Sequence, residues 1–270
     1  MKIIRFLDEQ NNIRHGVRQE DGSALALRGN LFDGLEKTAE RVTIRKLLAP
    51  LVPSSILCIG LNYHYHAREC NMQLPEYPVV FMKSINTVQH PGDPILIPTR
   101  MESQEVDYEC ELAVVIGKAC KNVSRENALD YVLGYTCAND VSARDWQLQK
   151  GGSQWCRGKS FDTFAPLGPC LVTADEIPNP NELRIRTILN GAAVQDWNTK
   201  DMIFDVPALI EFLSGSTTLL PGALIMTGTP HGVGMGQNPP RWLKPGDTVA
   251  IDIEKIGRIT NPVRRENNAI

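Results

Sequence analysis

Val106-Asp107-Tyr108-Glu109-Cys110-Glu111-Leu112-Ala113-Val114-Val115-Ile116-Gly117 reads as one strand, polar where it starts and wholly apolar where it ends. Side chains two apart on a strand share a face. Glu109 and Glu111 therefore point the same way, next to a segment that belongs in a core. Two anions held side by side with little water repel each other and lose hydration. A shared hard cation relieves that conflict, because Mg²⁺ and Ca²⁺ take carboxylate oxygens. The alternative is a strand end with both acids in water, where most charged side chains lie.

The segments around this strand are also short and mostly extended. Ser54–Gly60, Val79–Met82, Ile95–Ile97, Tyr131–Ala138, Cys170–Thr173, Leu183–Asn190, Ala223–Thr227 and Thr248–Glu254 read as strands, and Asn190-Gly191 is a type I′ hairpin signal. Residues 1–30 alternate in short runs broken by polar turns, which predicts a small meander. Thr43–Leu48, Ser124–Leu129 and Val206–Leu213 read as helices, with Ser124 placed to cap the second. Residues 61–78 suit a short helix or a mobile loop. Strands outnumber helices without a regular βαβ rhythm, so the expected class is α+β, predominantly β.

Composition narrows the function. The chain has 270 residues, 42% of them hydrophobic, with 28 basic and 31 acidic residues well mixed. There is no basic tract, which argues against nucleic acid as a partner. No run approaches the roughly 18 apolar residues of a membrane span. The start, Met1-Lys2-Ile3-Ile4-Arg5-Phe6, lacks the apolar core of a signal peptide. Seven cysteines without a C-x-x-C pair fit reduced thiols and no disulfide framework. The expectation is a cytoplasmic protein.

Four further segments carry polar groups suited to chemistry. In Asn139-Asp140-Val141-Ser142-Ala143-Arg144-Asp145-Trp146-Gln147 an apolar strand delivers Asp140. If a helix starts there, Asp140, Arg144 and Gln147 share one face; otherwise Asp140 is a cap with a surface ion pair. In Tyr63-His64-Tyr65-His66-Ala67-Arg68-Glu69, His66 and Glu69 lie one helical turn apart, and a carboxylate beside an imidazole raises its basicity. An exposed pair of this kind is also common. A zinc ion shared by His64 and His66 would need a strand and a third ligand, and no His or Cys has a matching spacing. Lys159, between Gly158 and a Phe-rich turn, is either a partly buried ammonium or a solvated loop lysine. Thr227-Gly228-Thr229-Pro230-His231-Gly232-Val233-Gly234 is either a tight turn or a place where N–H groups and the Thr229 hydroxyl hold a carboxylate.

Taken in order, these motifs resemble the fumarylacetoacetate hydrolase superfamily. The matching residues are Gly60-x-Asn62-Tyr63-x-x-His66-x-x-Glu69, Asp107-Tyr108-Glu109-x-Glu111-Leu112, Asp140-x-x-x-Arg144-Asp145-x-Gln147, Gly158-Lys159-Ser160-Phe161-Asp162 and Thr227-Gly228-Thr229-Pro230-x-Gly232-Val233-Gly234. The stretches 103–107 and 239–247 look most like its domain-containing protein 2 branch. The resemblance covers about residues 53–263. It implies a catalytic domain over 51–270, behind a variable, β-rich N-terminal region over 1–50.

The resemblance further implies a mixed β-roll with peripheral helices, usually a homodimer. It assigns Mg²⁺, with Mn²⁺ or Ca²⁺ as options, to Glu109, Glu111 and Asp140. His66 and Glu69 become a dyad on a lid. Lys159 joins them in catalysis, and Arg144, Gln147 and Thr229 line the site of a small anionic 2-oxo acid. The family's reactions share an enolate that a divalent ion stabilises. They differ in what leaves C3: a proton, CO₂, or an acyl group attacked by water. Oxaloacetate keto–enol tautomerisation is the first expectation. Acylpyruvate hydrolysis of the fumarylpyruvate or fumarylacetoacetate type and oxaloacetate decarboxylation follow. A non-catalytic metal- or ligand-binding protein is the alternative from another class.

Overall fold

The computed structural model describes residues 1–267. Strand Cys110–Ile116 is buried along its whole length and lies inside the larger of two main sheets. It pairs antiparallel with Val132–Asn139 on one side and with Ala223–Met226 on the other. From Ala223–Met226 the sheet continues through Ser55–Gly60 to an edge strand, Val79–Lys83. In the other direction it passes through Ala165–Thr173 to the N-terminal meander, Lys2–Leu7, Ile13–Arg18, Ala24–Asn30 and Gly34–Val42. A five-stranded sheet is built from Ala192–Asn198, Arg184–Leu189, Thr248–Ile253, Gly257–Arg265 and Ile95–Ile97. The protein is α+β and predominantly β, as its sequence implies.

Alternation along the central strand divides the core. Leu112, Val114 and Ile116 pack with Ile185, Val249 and Ile251 of the five-stranded sheet. Ala113 and Val115 face the opposite way, towards Ile56, Cys58, Leu224 and Met226. Glu111 is in register with Ala113 and Val115. The acidic end of the strand therefore opens on the second face, where packed apolar side chains give way to a cavity.

Several expectations change in the structure. Val106–Ile116 is not one strand: Val106–Asp107 pairs with Ser142–Ala143, and Cys110–Ile116 resumes in the large sheet. The chain crosses between them at Tyr108 and Glu109, tied by Glu109 N–H to Asn139 Oδ1 at 3.0 Å and by Asp140 N–H to the Glu109 carbonyl at 2.9 Å. Thr43–Leu48 is not a helix. Six residues are too few to propagate one alone, and Lys46–Leu48 instead completes the backbone pairing of Arg5–Leu7. Ser124 stands at the start of a 3-10 helix, Arg125–Tyr131, without a side-chain capping bond. Helix Val206–Ser214 forms as expected, with Asp205 capping the Ala208 N–H. Asn190 and Gly191 both have positive φ, as a type I′ turn requires. All seven cysteines are free. Among the described residues no helix is long and apolar enough to cross a membrane.

Asn62 anchors the segment that carries the histidine. Its side chain is wholly buried, donates to the Thr227 carbonyl at 2.7 Å and the Phe204 carbonyl at 3.0 Å, and accepts from Phe204 N–H at 2.9 Å. The short helix His64–Glu69 starts two residues later. Asn62→Ala leaves those backbone groups buried without partners. The expected outcome is a loss of about 1–3 kcal/mol in unfolding free energy, measured by urea titration with an unchanged slope.

Candidate metal and active site

Glu109, Glu111 and Asp140, the set implied by the resemblance, come together in the structure. Each is buried, and one oxygen from each lies within 4.8 Å of the others. They arrive from two adjacent strands: Cys110 is paired with Asn139, so Glu109 and Asp140 flank the same rung of the ladder. Lys159 Nζ bridges two of them, at 2.7 Å from Glu109 Oε2 and 2.8 Å from Asp140 Oδ2. The other Asp140 oxygen accepts from Lys83 Nζ at 2.6 Å. Glu111 takes part in no ion pair among the described residues and accepts one hydrogen bond, from Gly228 N–H at 2.7 Å.

That asymmetry appears in the acidities. Burial disfavours a charged Glu109, but Arg144 and Lys159 outweigh it and hold the carboxyl well below the usual carboxylate range. Burial raises Glu111 far above that range, and the charges of Asp140 and Glu109 add to the rise. A carboxylate that is expensive to ionise beside two ionised neighbours is the position a divalent cation relieves. The donor set is three carboxylates without nitrogen or sulfur, which suits Mg²⁺, Mn²⁺ or Ca²⁺.

Lys159 is deeply buried, so the solvated-loop reading of this residue is corrected. It ends the short helix Trp155–Lys159, which approaches closely because residue 158 is glycine: a Cβ there would lie 2.5 Å from Gln147 N and 2.7 Å from the Ala143 carbonyl. Arg144 and Gln147 line one cavity, while Asp140 sits beside its glutamates, and the three do not share one helix. Ser142–Ala143 is extended and a single π-helical turn, Trp146–Lys150, follows. Arg144 is fixed by Asp107, with Nε 2.9 Å from Oδ2, and by Gln147, whose Oε1 accepts from Nη1 at 3.0 Å. Its Nη2 lies 2.6 Å from Glu109 Oε1.

The short helix His64–Glu69 settles the choice between helix and loop for that stretch. His66 is buried, and its Nδ1 lies 3.1 Å from Glu69 Oε2. Burial works against the imidazolium, but contacts with Cys70 and Glu69 and the charge of Glu109 raise its pKa to about 9. Glu69 is latched by Gly232 N–H to its Oε1 at 2.9 Å. His66, Glu109, Glu111, Arg144, Gln147, Lys159 and Thr229 line one cavity of about 60 Å³. Leu61, Met72, Phe81, Leu148 and Trp155 form its apolar wall.

The Gly- and Thr-rich turn binds carboxylates, but they belong to the protein. Gly228 N–H serves Glu111, and Gly232 N–H serves Glu69. Gly234 and Met235 N–H serve Asp107, at 2.7 and 3.0 Å. Gly228 has φ +98°, a conformation that suits glycine. Thr229 faces the cavity, its Oγ1 accepting from Gln195 Nε2 at 2.9 Å.

The sequence reading missed Lys83, Asp107 and Gln195 as members of this network. Lys83 had a signal: it lies two residues beyond Phe81, on the inward register of its strand. Gln195 had none. It joins Cys110 N–H, Thr187, Thr229 and the Pro230 carbonyl from a distant hairpin.

Residues 55–264 match the family model described as fumarylacetoacetate (FAA) hydrolase C-terminal, and residues 1–50 match one described as Rv2993c-like, N-terminal. A Xenopus laevis protein named oxaloacetate tautomerase fahd2, mitochondrial, is 50% identical over 242 residues, covering 89% of this chain and 75% of that one. A Dictyostelium discoideum protein named fumarylacetoacetate hydrolase domain-containing protein 2 homolog is 50% identical over 228 residues, covering 81% and 74%. Among solved structures, a Mycobacterium marinum protein named 2-hydroxyhepta-2,4-diene-1,7-dioate isomerase superposes with a TM-score of 0.83 at 39% identity, covering 99% of this chain and all of that one. A fumarylacetoacetate hydrolase from Exiguobacterium antarcticum gives 0.85 at 35% identity, covering 98% of this chain and all of the other. The chain is an enzyme of the fumarylacetoacetate hydrolase family, on the branch of the domain-containing protein 2 relatives.

Proposed function

We propose that the protein catalyses keto–enol tautomerisation of oxaloacetate or a closely similar small 2-oxo acid, with a divalent ion at Glu109, Glu111 and Asp140. The observation that carries this is one cavity lined by Glu109, Glu111 and His66, with Asp140 clustered beside the two glutamates and Glu69 beside the imidazole. The relatives named oxaloacetate tautomerase support the substrate, and the small cavity suits a short acid. Such an ion, when bound, acts as a Lewis acid on the substrate's carboxylate and 2-oxo oxygens.

The protein's own groups supply the rest. His66 takes a proton from C3 and returns it to carbon or to oxygen, while Glu69 fixes the ring and carries part of the imidazolium charge. His66 must be neutral to start. Neutralising the Glu109 charge removes one of the influences that raise its pKa, so a loaded site is also one with a freer base. Lys159 and Arg144 hold Glu109 in place and present positive charge to the substrate's carboxylate and the developing enolate. Gln147 and Thr229 offer hydrogen bonds, and the apolar wall of Leu61, Phe81 and Trp155 limits water.

Acylpyruvate hydrolysis is the second reading, favoured by the 35%-identical hydrolase that matches over nearly the whole chain. It uses the same base to activate water. A cytoplasmic location fits the free thiols. We also place a second copy of the chain on the edge strand Val79–Lys83, where Tyr77, Val80, Met82 and Ile85 are exposed.

Four outcomes are expected. Removing the metal with a chelator should abolish turnover and lower the thermal midpoint, since the ion binds only the folded state, and Glu109→Ala should lose metal and activity together. An unchanged midpoint and rate would refute the metal assignment. His66→Ala should lower the rate about 10²–10⁴-fold with metal affinity nearly unchanged. In wild type, proton NMR should then show C3 exchange of oxaloacetate outrunning CO₂ release and exceeding any cleavage of acylpyruvates; the reverse order identifies a hydrolase. Sedimentation should give a dimer that Met82→Lys weakens, and a monomeric wild type would sink the edge-strand interface.

A further inference from the structure

Cys70 follows the helix His64–Glu69 directly, and its N–H bonds to the His66 carbonyl. Its thiol therefore comes round to the side of the helix that carries His66 and Glu69, at the i, i+3, i+4 spacing of one turn. Sγ lies 3.9 Å from His66 Nδ1 and 3.8 Å from Nε2. Nδ1 is 3.1 Å from Glu69 Oε2, and one ligand atom from each of the three residues lies within 4.8 Å of the other two. On a strand, His64 and His66 would be the pair to share a zinc ion; on the helix it is Cys70 that joins His66 and Glu69.

We propose that His66, Glu69 and Cys70 form a second metal site, selective for zinc-class ions, that holds the His66–Glu69 pair away from substrate when filled. The geometry is close to what zinc requires. Bonds of about 2.3 Å to sulfur and about 2.0–2.1 Å to nitrogen and oxygen, at tetrahedral angles, place S and N about 3.6 Å apart and N and O about 3.4 Å apart. Two sides of the observed triangle, 3.9 Å from Sγ to Nδ1 and 3.1 Å from Nδ1 to Oε2, need shifts of about 0.3 Å, and the thiol-to-carboxylate side lies within 4.8 Å. Glu69 is already held through its other oxygen by Gly232, so its Oε2 is presented, not mobile. Cys70 and Glu69 are both partly exposed, which gives an ion a path from solvent.

Ligand softness separates the two sites. Three carboxylates at Glu109, Glu111 and Asp140 suit a hard ion, whereas a thiolate with an imidazole and a single carboxylate selects Zn²⁺ or Co²⁺ over Mg²⁺. The three ligands leave one tetrahedral position for water. Binding at Cys70 does not depend on the proposed reaction; the loss of turnover does, because it rests on His66 and Glu69 acting as the base.

The test uses the full-length protein, kept reduced and in excess Mg²⁺ so that the acidic site is filled. Titration with Co²⁺ should produce a thiolate-to-cobalt charge-transfer band in the near ultraviolet that saturates at one equivalent. Cys70→Ser and His66→Gln should each lack it. Zn²⁺ should bleach the band and slow wild-type turnover. Measured against its own Mg²⁺-supported rate, Cys70→Ser should require on the order of 100-fold more Zn²⁺ for the same fractional inhibition. The site is overturned if wild type shows no band, or if wild type and Cys70→Ser bind Zn²⁺ equally. A Cys70-dependent band with unaltered turnover upholds the site and removes His66 and Glu69 from the chemistry instead.

Discussion

Buried charge sets the terms of this structure. Asp107, Glu109, Glu111 and Asp140 are all nearly inaccessible, and so are Lys83, Arg144 and Lys159. Each ion taken from water alone costs several kcal/mol, recovered only through well-placed opposite charge and hydrogen bonds. Four acids against three bases leave one carboxylate unmatched, and the geometry locates it at Glu111. The lysines and the arginine also do more than neutralise. Lys159 fastens Glu109 to Asp140 across two strands, and Arg144 fastens Glu109 to Asp107, so two of the three clustered carboxylates are held in place by cations and the third, Glu111, by the Gly228 N–H.

The turn between Thr227 and Met235 is the second organising element. Its successive N–H groups hold Glu111 from the central strand, Glu69 from the short helix and Asp107 from the preceding strand. Asn62 ties the same turn to the start of that helix. One Gly-rich segment thus sets the relative positions of Glu111, Glu69 and the aspartate that anchors Arg144. A side chain at Gly228 would meet the Asn62 Cβ at 2.7 Å, which makes the glycine part of the frame as well as of the turn.

The legible parts of the sequence are those governed by local period and motif. Glu109, Glu111 and Asp140 could be read because the strand alternation puts the two glutamates on one face, and because the resemblance supplies the third acid. The meander, the Asn190-Gly191 hairpin and helix Val206–Ser214 rest on turn and capping chemistry that acts over a few residues. The sequence leaves Lys159 and the turn with two readings each, for a different reason. Whether a lysine is solvated, or whose carboxylate an N–H receives, depends on which distant segments fold over it. Lys46–Leu48 became a strand because Arg5–Leu7 offered backbone partners, and Val106–Ile116 broke because two sheets compete for its ends. Cys70 was overlooked although the helical spacing that pairs His66 with Glu69 also puts it at i+4 from His66.

The edge strand Val79–Lys83 stands between the surface and the site. Phe81 and Lys83 point inward while Val80 and Met82 point out. Five residues of pairing with Ser55–Gly60, on one side only, hold that alternation. A slip of a single residue exchanges the two faces: it would bring Met82 against Asp140 and carry Lys83 into water. The outer surface would gain a lysine, as edge strands commonly carry, and would look no worse for it. The interior would lose one of its three cations. Pairing fidelity at the margin of the sheet is therefore a determinant of the electrostatic potential at its centre.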